Sequence, residues 1–145
     1  MEKAKKMAWR LLAASVGLLT LSQLAHADSL DEQRNRYAQI KQAWDNRQMD
    51  VVDQLMPTLS TYPLYPYLQY RQITDDLMNQ PALVVKNFID ANPTLPPARS
   101  LRSRFVNELA RRSDWRGLLA FSPDKPTSTE AQCNYYYAKL SVGQS

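Results

Sequence analysis

The chain has 145 residues and a formal net charge of +4, with 44% hydrophobic and 22% charged residues. That is enough for one domain with a modest core. Only three glycines, no Asn-Gly dipeptide and plentiful Ala, Leu, Gln, Arg and Met argue against a hairpin-rich sheet and predict an all-α fold.

The first residues read as an export leader. Lys3, Lys5, Lys6 and Arg10 form a basic region, Leu11 to Leu24 an apolar run, and Ala25-His26-Ala27 a small-x-small cleavage pattern. Residues 1–27 are therefore expected to be a cleavable signal peptide, cut after Ala27, with the mature chain starting at Asp28 in the periplasm. The run is shorter than the roughly 20 apolar residues of a bilayer span, so no stable membrane anchor is expected after cleavage. His26, the single histidine, leaves with this segment, which excludes a His-based triad or His metal site in the mature chain. The segment also holds four of the 18 basic residues and one of the 14 acids. The remainder has fourteen basic and thirteen acidic residues, which removes the case for nucleic-acid binding.

In chain order, Ser29 to Glu32 fits a capping box for a first helix that runs to about Asp45 and turns Leu30, Tyr37, Ile40 and Trp44 inward. After an Asn46-Arg47-Gln48 turn, Asp50 is expected to cap a second helix with Val51, Val52, Leu55 and Met56, ended by Pro57. A tyrosine-rich third helix begins at or just before Pro66, because Tyr65 precedes a proline. Tyr67, Tyr70, Ile73 and Leu77 share one of its faces, with Leu64 and Leu68 as a smaller second stripe. Pro81 opens a fourth helix with Val84, Val85, Phe88 and Ile89 inward. The stretch "NPTLPPA" (92–98) reads as a stiff linker before a fifth helix from about Ala98 to Arg112. Ser113-Asp114 caps a sixth with Trp115, Leu118 and Leu119, and a seventh covers Glu130 to Leu140.

The segments Trp44–Pro57 and Arg111–Pro123 share a layout of polar turn, Asp cap, apolar cluster and proline. Units of about 30–35 residues built as helix–turn–helix predict antiparallel helix pairs stacked as a solenoid of the tetratricopeptide kind. The seventh helix has no partner in this sequence, so the array is expected to be cut mid-repeat.

Residues with chemical potential read mostly as structure. The tyrosine cluster suits inter-helix packing better than a sugar-stacking platform, and Trp44 and Trp115 fall on apolar faces. Arg99, Arg102, Arg104, Arg111, Arg112 and Arg116 enrich the fifth helix and its surroundings, with an expected Arg104-Glu108-Arg112 ladder. Asp75 and Asp76 are adjacent and point about 100° apart on a helix, so they cannot face each other as an acid–base pair. No catalytic residue, cofactor site or metal site is expected.

The segments "DSLDEQRNRYAQIKQAWDNRQMDVVDQLMPTLSTYPLYPYLQYRQITDDLMNQPA" (28–82), "NPTLPPARSLRSRFVNELARRSDWRGLLAFSPDKP" (92–126) and "TEAQCNYYYAKL" (129–140) closely resemble the amino-terminal part of the soluble lytic murein transglycosylases of enteric bacteria. The resemblance implies that residues 28–145 belong to a U-shaped α-superhelical domain of a periplasmic enzyme that carries a separate lysozyme-like catalytic domain. The family cleaves the β-1,4 bond between N-acetylmuramic acid and N-acetylglucosamine, leaving a 1,6-anhydro end, with one glutamate in a Glu-Ser motif. None of Glu2, Glu32, Glu108 or Glu130 is followed by Ser. The chain alone is therefore expected to be an inactive scaffold that meets peptidoglycan strands only through the full-length parent. The other reading is a self-contained exported helical-repeat module that binds a protein or glycan partner.

Cys133 is a lone cysteine in a chain read as exported. Either it is a buried structural thiol, or its partner lies outside this sequence. The odd count, its place in the seventh helix and that helix's missing neighbour together lead to the expectation of a disulfide with a cysteine beyond Ser145.

Overall fold

Among the described residues, seven α-helices follow one another, joined by turns and two short 3-10 segments, and no strand occurs. The computed structural model describes residues 28–143; the expected leader and its cleavage after Ala27 lie outside the described residues. The all-α expectation is borne out. The chain divides into two compact units after Tyr62.

In the first unit, α1 (Leu30–Asp45) opens on the expected capping box. Ser29 Oγ accepts from the Glu32 amide at 3.2 Å, and the Glu32 carboxylate accepts from the Ser29 amide at 2.9 Å. This satisfies two donors that a helix start otherwise leaves orphaned. Arg47, at φ 59°, reverses the chain into α2 (Met49–Leu55), and Pro57 sits in the 3-10 turn Met56–Leu59. Asp50 is not the cap. Gln48 occupies that position and makes no side-chain capping bond, while Asp50 lies in the first turn. Ile40, Trp44, Val52, Met56, Leu59 and Tyr62 are buried, and the Tyr37 and Tyr62 rings stand 5.5 Å apart. Leu30, read as inward, is 48% exposed. The seven residues of α2 reach only about 10 Å, so they cover the C-terminal part of α1 and leave its first turn bare.

The second unit contains α3 (Tyr65–Asp75), a 3-10 turn (Leu77–Asn79), α4 (Ala82–Ala91), α5 (Pro96–Arg111), α6 (Trp115–Phe121) and α7 (Thr129–Ser141). The central element is α5, which packs against α4, α6 and α7. Leu101, Phe105, Val106 and Leu109 are 0–1% exposed within it, and Phe105 meets Phe121 edge-on at 4.8 Å. It starts two residues before the expected Ala98: Pro96 and Pro97 belong to its first turn, where the missing N–H costs nothing. Pro81 is the cap residue of α4 and stays extended (φ −64°, ψ 138°). Val84, read as inward, and Tyr67 both lie outward, at 45% and 41% exposure, whereas Leu68 on the minor stripe is 2% exposed.

The two similar segments seen in the sequence fold alike. Arg47 and Ser113 both take positive φ (59° and 57°), and the residues after them, Gln48 and Asp114, share φ/ψ near −86°/70°. Their amides donate to Ala43 O at 2.8 Å and Leu109 O at 2.9 Å. The period is sharper than the expected 30–35 residues. The short helices start at 49, 82 and 115, and α1, α5 and α7 start at 30, 96 and 129, all spaced by 33 or twice 33. Burial keeps the same count: Val52, Val85 and Leu118 are at most 1% exposed, as are Ile40 and Val106, with Ile73 between them at 5%.

Candidate functional site

Each chemically interesting side chain is positioned by one of these helices, and most are already occupied. Tyr62 is buried. Tyr70 is half-buried, its ring 6.5 Å from Phe88 and its hydroxyl accepting from Arg104 Nη1 at 2.7 Å. Packing is thus the role of those two tyrosines. Trp44 is buried, whereas Trp115 is only half-buried and meets Tyr137 edge-on at 4.8 Å.

The arginine ladder forms differently from the expectation. Arg104 turns to Tyr70, 34 residues away, and Glu108 is shared by Arg111 and Arg112. Arg111 Nη2 donates to Glu108 Oε1 at 2.6 Å and its Nε to Oε2 at 3.0 Å; Arg112 Nε donates at 3.3 Å. The Arg112 guanidinium also donates to Leu77 O at 2.7 Å and Gln80 O at 3.1 Å, and lies 5.3 Å from the Phe105 ring. It therefore ties the 3-10 turn before α4 onto α5. Sequence spacing gave no sign of this clamp, because its partners are backbone carbonyls 32 and 35 residues away.

The hydrogen bond from Arg111 holds the Glu108 carboxyl below the usual glutamate range. Partial burial opposes this, and Arg112 adds to the lowering. A group so placed is ionised near neutral pH and is no general acid. Asp75 pairs with Arg71 at 3.8 Å, while Asp76 accepts from Asn79 Nδ2 at 2.8 Å. They form no facing pair. Asp114 caps α6 by accepting from the Gly117 amide at 2.9 Å; a Cβ at Gly117 would stand 2.1 Å from that carboxylate. Among the described residues no cluster of three or more His, Cys, Asp or Glu could hold a metal, and no helix is long and apolar enough to cross a membrane.

Cys133 is exposed and unpaired in this chain. It shares the spacing i, i+3, i+4, i+7 with Tyr136, Tyr137 and Leu140, which are 52%, 57% and 73% exposed. These four form one apolar stripe along α7. The opposite side of α7 packs inward through Ala131, Tyr135 and Ala138, and Tyr135 donates to Pro123 O at 3.1 Å.

These features define an array of paired helices whose described carboxylates are ion-paired, capping or exposed. No protein-family profile matches the chain. All 145 residues align, at 79% identity, with the soluble lytic murein transglycosylase of Escherichia coli K12, and at 77% with that of Salmonella typhimurium. The chain spans 22% of the length of these curated relatives. The crystal structure of the 70 kDa soluble lytic transglycosylase of Escherichia coli superposes with a TM-score of 0.79 at 82% identity, over 81% of this chain and 19% of that one. A structure of the same kind of enzyme with bulgecin A matches equally well. The resemblance read from the residues is borne out.

For a carboxyl whose folded pKa lies below its unfolded one, the stabilisation is present above the unfolded value and lost as pH falls through the folded value. Glu108→Gln should therefore cost about 1 kcal/mol in urea unfolding at pH 7. The gap should shrink as pH falls below the ordinary glutamate range and Glu108 itself takes up a proton. A gap that persists unchanged to the acid limit of the folded protein would assign the effect to packing.

Proposed function

We propose that this chain is a non-catalytic helical scaffold of a periplasmic lytic murein transglycosylase, delivered by a signal peptide cleaved after Ala27. The parent would cleave the N-acetylmuramic acid–β-1,4–N-acetylglucosamine bond of peptidoglycan with formation of a 1,6-anhydro end. The scaffold's part would be to hold the glycan strand's surroundings in place. The observation that carries this reading is the 79% identity along all 145 residues to enzymes of that description, of which the chain spans 22%. It is supported by the state of the carboxylates: glycosidic cleavage needs a positioned general acid in a cleft, and Glu108 is locked to two arginines. The chain alone is expected to leave murein intact in a zymogram. A cleared zone that survives Glu108→Gln and disappears with Glu130→Gln would overturn the scaffold reading and locate the acid.

The stripe Cys133–Tyr136–Tyr137–Leu140 would be the seat of a following helix. On α5, the positions 33 residues earlier include Ser103 and Asn107, and α7 with its preceding loop covers them: Ser103 Oγ lies 3.5 Å from Thr127 Oγ1, and Asn134 donates to Asn107 Oδ1 at 3.0 Å. A helix seated on α7 in the same way would bring a cysteine partner from beyond Ser145 to Cys133. Closing such a loop stabilises by about 2–4 kcal/mol. In the longer protein, alkylation under non-reducing, denaturing conditions is expected to leave Cys133 unlabelled until reductant is added. Labelling without reductant would refute the pairing.

A further inference from the structure

A cavity of about 530 Å³ opens between the C-terminal end of α4 and the first turns of α5, within the size range of small-ligand sites. Ile89, Pro93 and Ala98 give it apolar walls, and Arg99 and Arg102 stand beside them, one turn apart on α5. These two guanidinium groups differ from the other arginines of α5. Arg104 is held by Tyr70, and Arg111 and Arg112 by Glu108. Arg99 and Arg102 have no hydrogen bond or ion pair among the described residues, although Arg102 is half-buried.

The acids nearby do not answer them. Asp90 lines the same cavity but is ion-paired with Lys86, one turn back on α4. Asn92 also lines it; its amide nitrogen donates to Phe88 O at 2.8 Å, which leaves its oxygen as an acceptor. Thr127 also lines it; its carbonyl accepts from Gln132 at 3.3 Å, and its hydroxyl makes only the long 3.5 Å contact to Ser103. Two forked cations beside apolar walls, with acceptors in the same lining, suit a carboxylate borne on a small apolar body that also carries N–H or ammonium donors. A short acidic peptide has that chemistry. A multiply charged phosphate fits less well, because Asp90 shares the wall.

We infer that this groove binds the carboxylate-bearing peptide stems of murein, with Arg99 and Arg102 gripping a carboxylate. The inference rests on the murein reading above and names which part of that polymer this chain contacts. The guanidinium pair confers the preference for carboxylate, and Asn92 and Asp90 receive the peptide's donors.

The test uses the purified 145-residue protein, the free tetrapeptide stem, the neutral N-acetylglucosamine disaccharide, inorganic phosphate and whole murein sacculi. Calorimetric titration is expected to show tetrapeptide binding that Arg99→Gln/Arg102→Gln weakens at least tenfold, while Arg116→Gln, outside the groove, leaves it unchanged. Circular dichroism checks that each variant keeps its helices. Tetrapeptide binding that the double variant does not alter would overturn the inference. So would phosphate binding as tight as the peptide's, or a preference for the neutral disaccharide. Co-sedimentation with sacculi separates the two levels. Sacculus binding without tetrapeptide binding removes the groove and leaves the murein reading standing, whereas binding to neither removes both.

Discussion

The shortest helices are held by very few buried side chains: Val52 alone in α2, and Leu118 with Phe121 in α6. Helices α2 and α6 have seven residues, half the length at which an isolated helix becomes even marginal in water. Their existence rests on packing, and the packing is organised around Val52 and Leu118, with Val85 in the same place on α4. Burying such a side chain contributes about 1.5–3 kcal/mol, comparable to the cost of fixing one or two residues of backbone. A hairpin held so thinly needs further cover, which explains why both turns also carry a left-handed residue and a backbone bond back to the long helix. The 33-residue spacing of these positions is the constraint from which the element order follows.

Electrostatics divides α5 into two ends with different roles. At its C-terminal end, Arg111 and Arg112 share the Glu108 carboxylate, and Arg112 reaches the carbonyls of Leu77 and Gln80. Cations near a helix C-terminus are also favourable to its dipole. At the N-terminal end, Arg99 and Arg102 have no such partners and border a cavity. Charge at the first end serves the fold, and charge at the second is left over for a ligand. Elsewhere the carboxylates are spent on cations one helical turn away, as Asp90 is on Lys86, or on helix starts, as Glu32 and Asp114 are.

Much of the fold was legible in the sequence because local rules decided it. The capping box at Ser29–Glu32, the Asp114 cap and the proline-marked helix starts depend on residues at most a few positions apart. The departures came where tertiary packing overrode periodicity. Leu30, Tyr67 and Val84 lie on apolar stripes but stay more than 40% exposed, whereas Leu68 is buried. Gln48 takes the cap position from Asp50 because the turn geometry, not the side chain, sets where α2 begins. The candidate site was less visible. The Arg-rich stretch was evident, but which arginines were already taken depended on contacts 32 to 35 residues away, such as Tyr70 and the Leu77 and Gln80 carbonyls. Cys133 stood out by count, and its exposure could be read only once Tyr136, Tyr137 and Leu140 proved to share its uncovered face.

If each helix of the second unit is held by its neighbours, protection should follow cover. Native-state hydrogen exchange on the 145-residue chain reads this residue by residue. Amides from Leu101 to Leu109 in α5, flanked by α4, α6 and α7, are expected to exchange at least tenfold more slowly than those of Tyr136 to Leu140 in α7. Equal protection of α5 and α7, lost together in one global opening, would contradict the account.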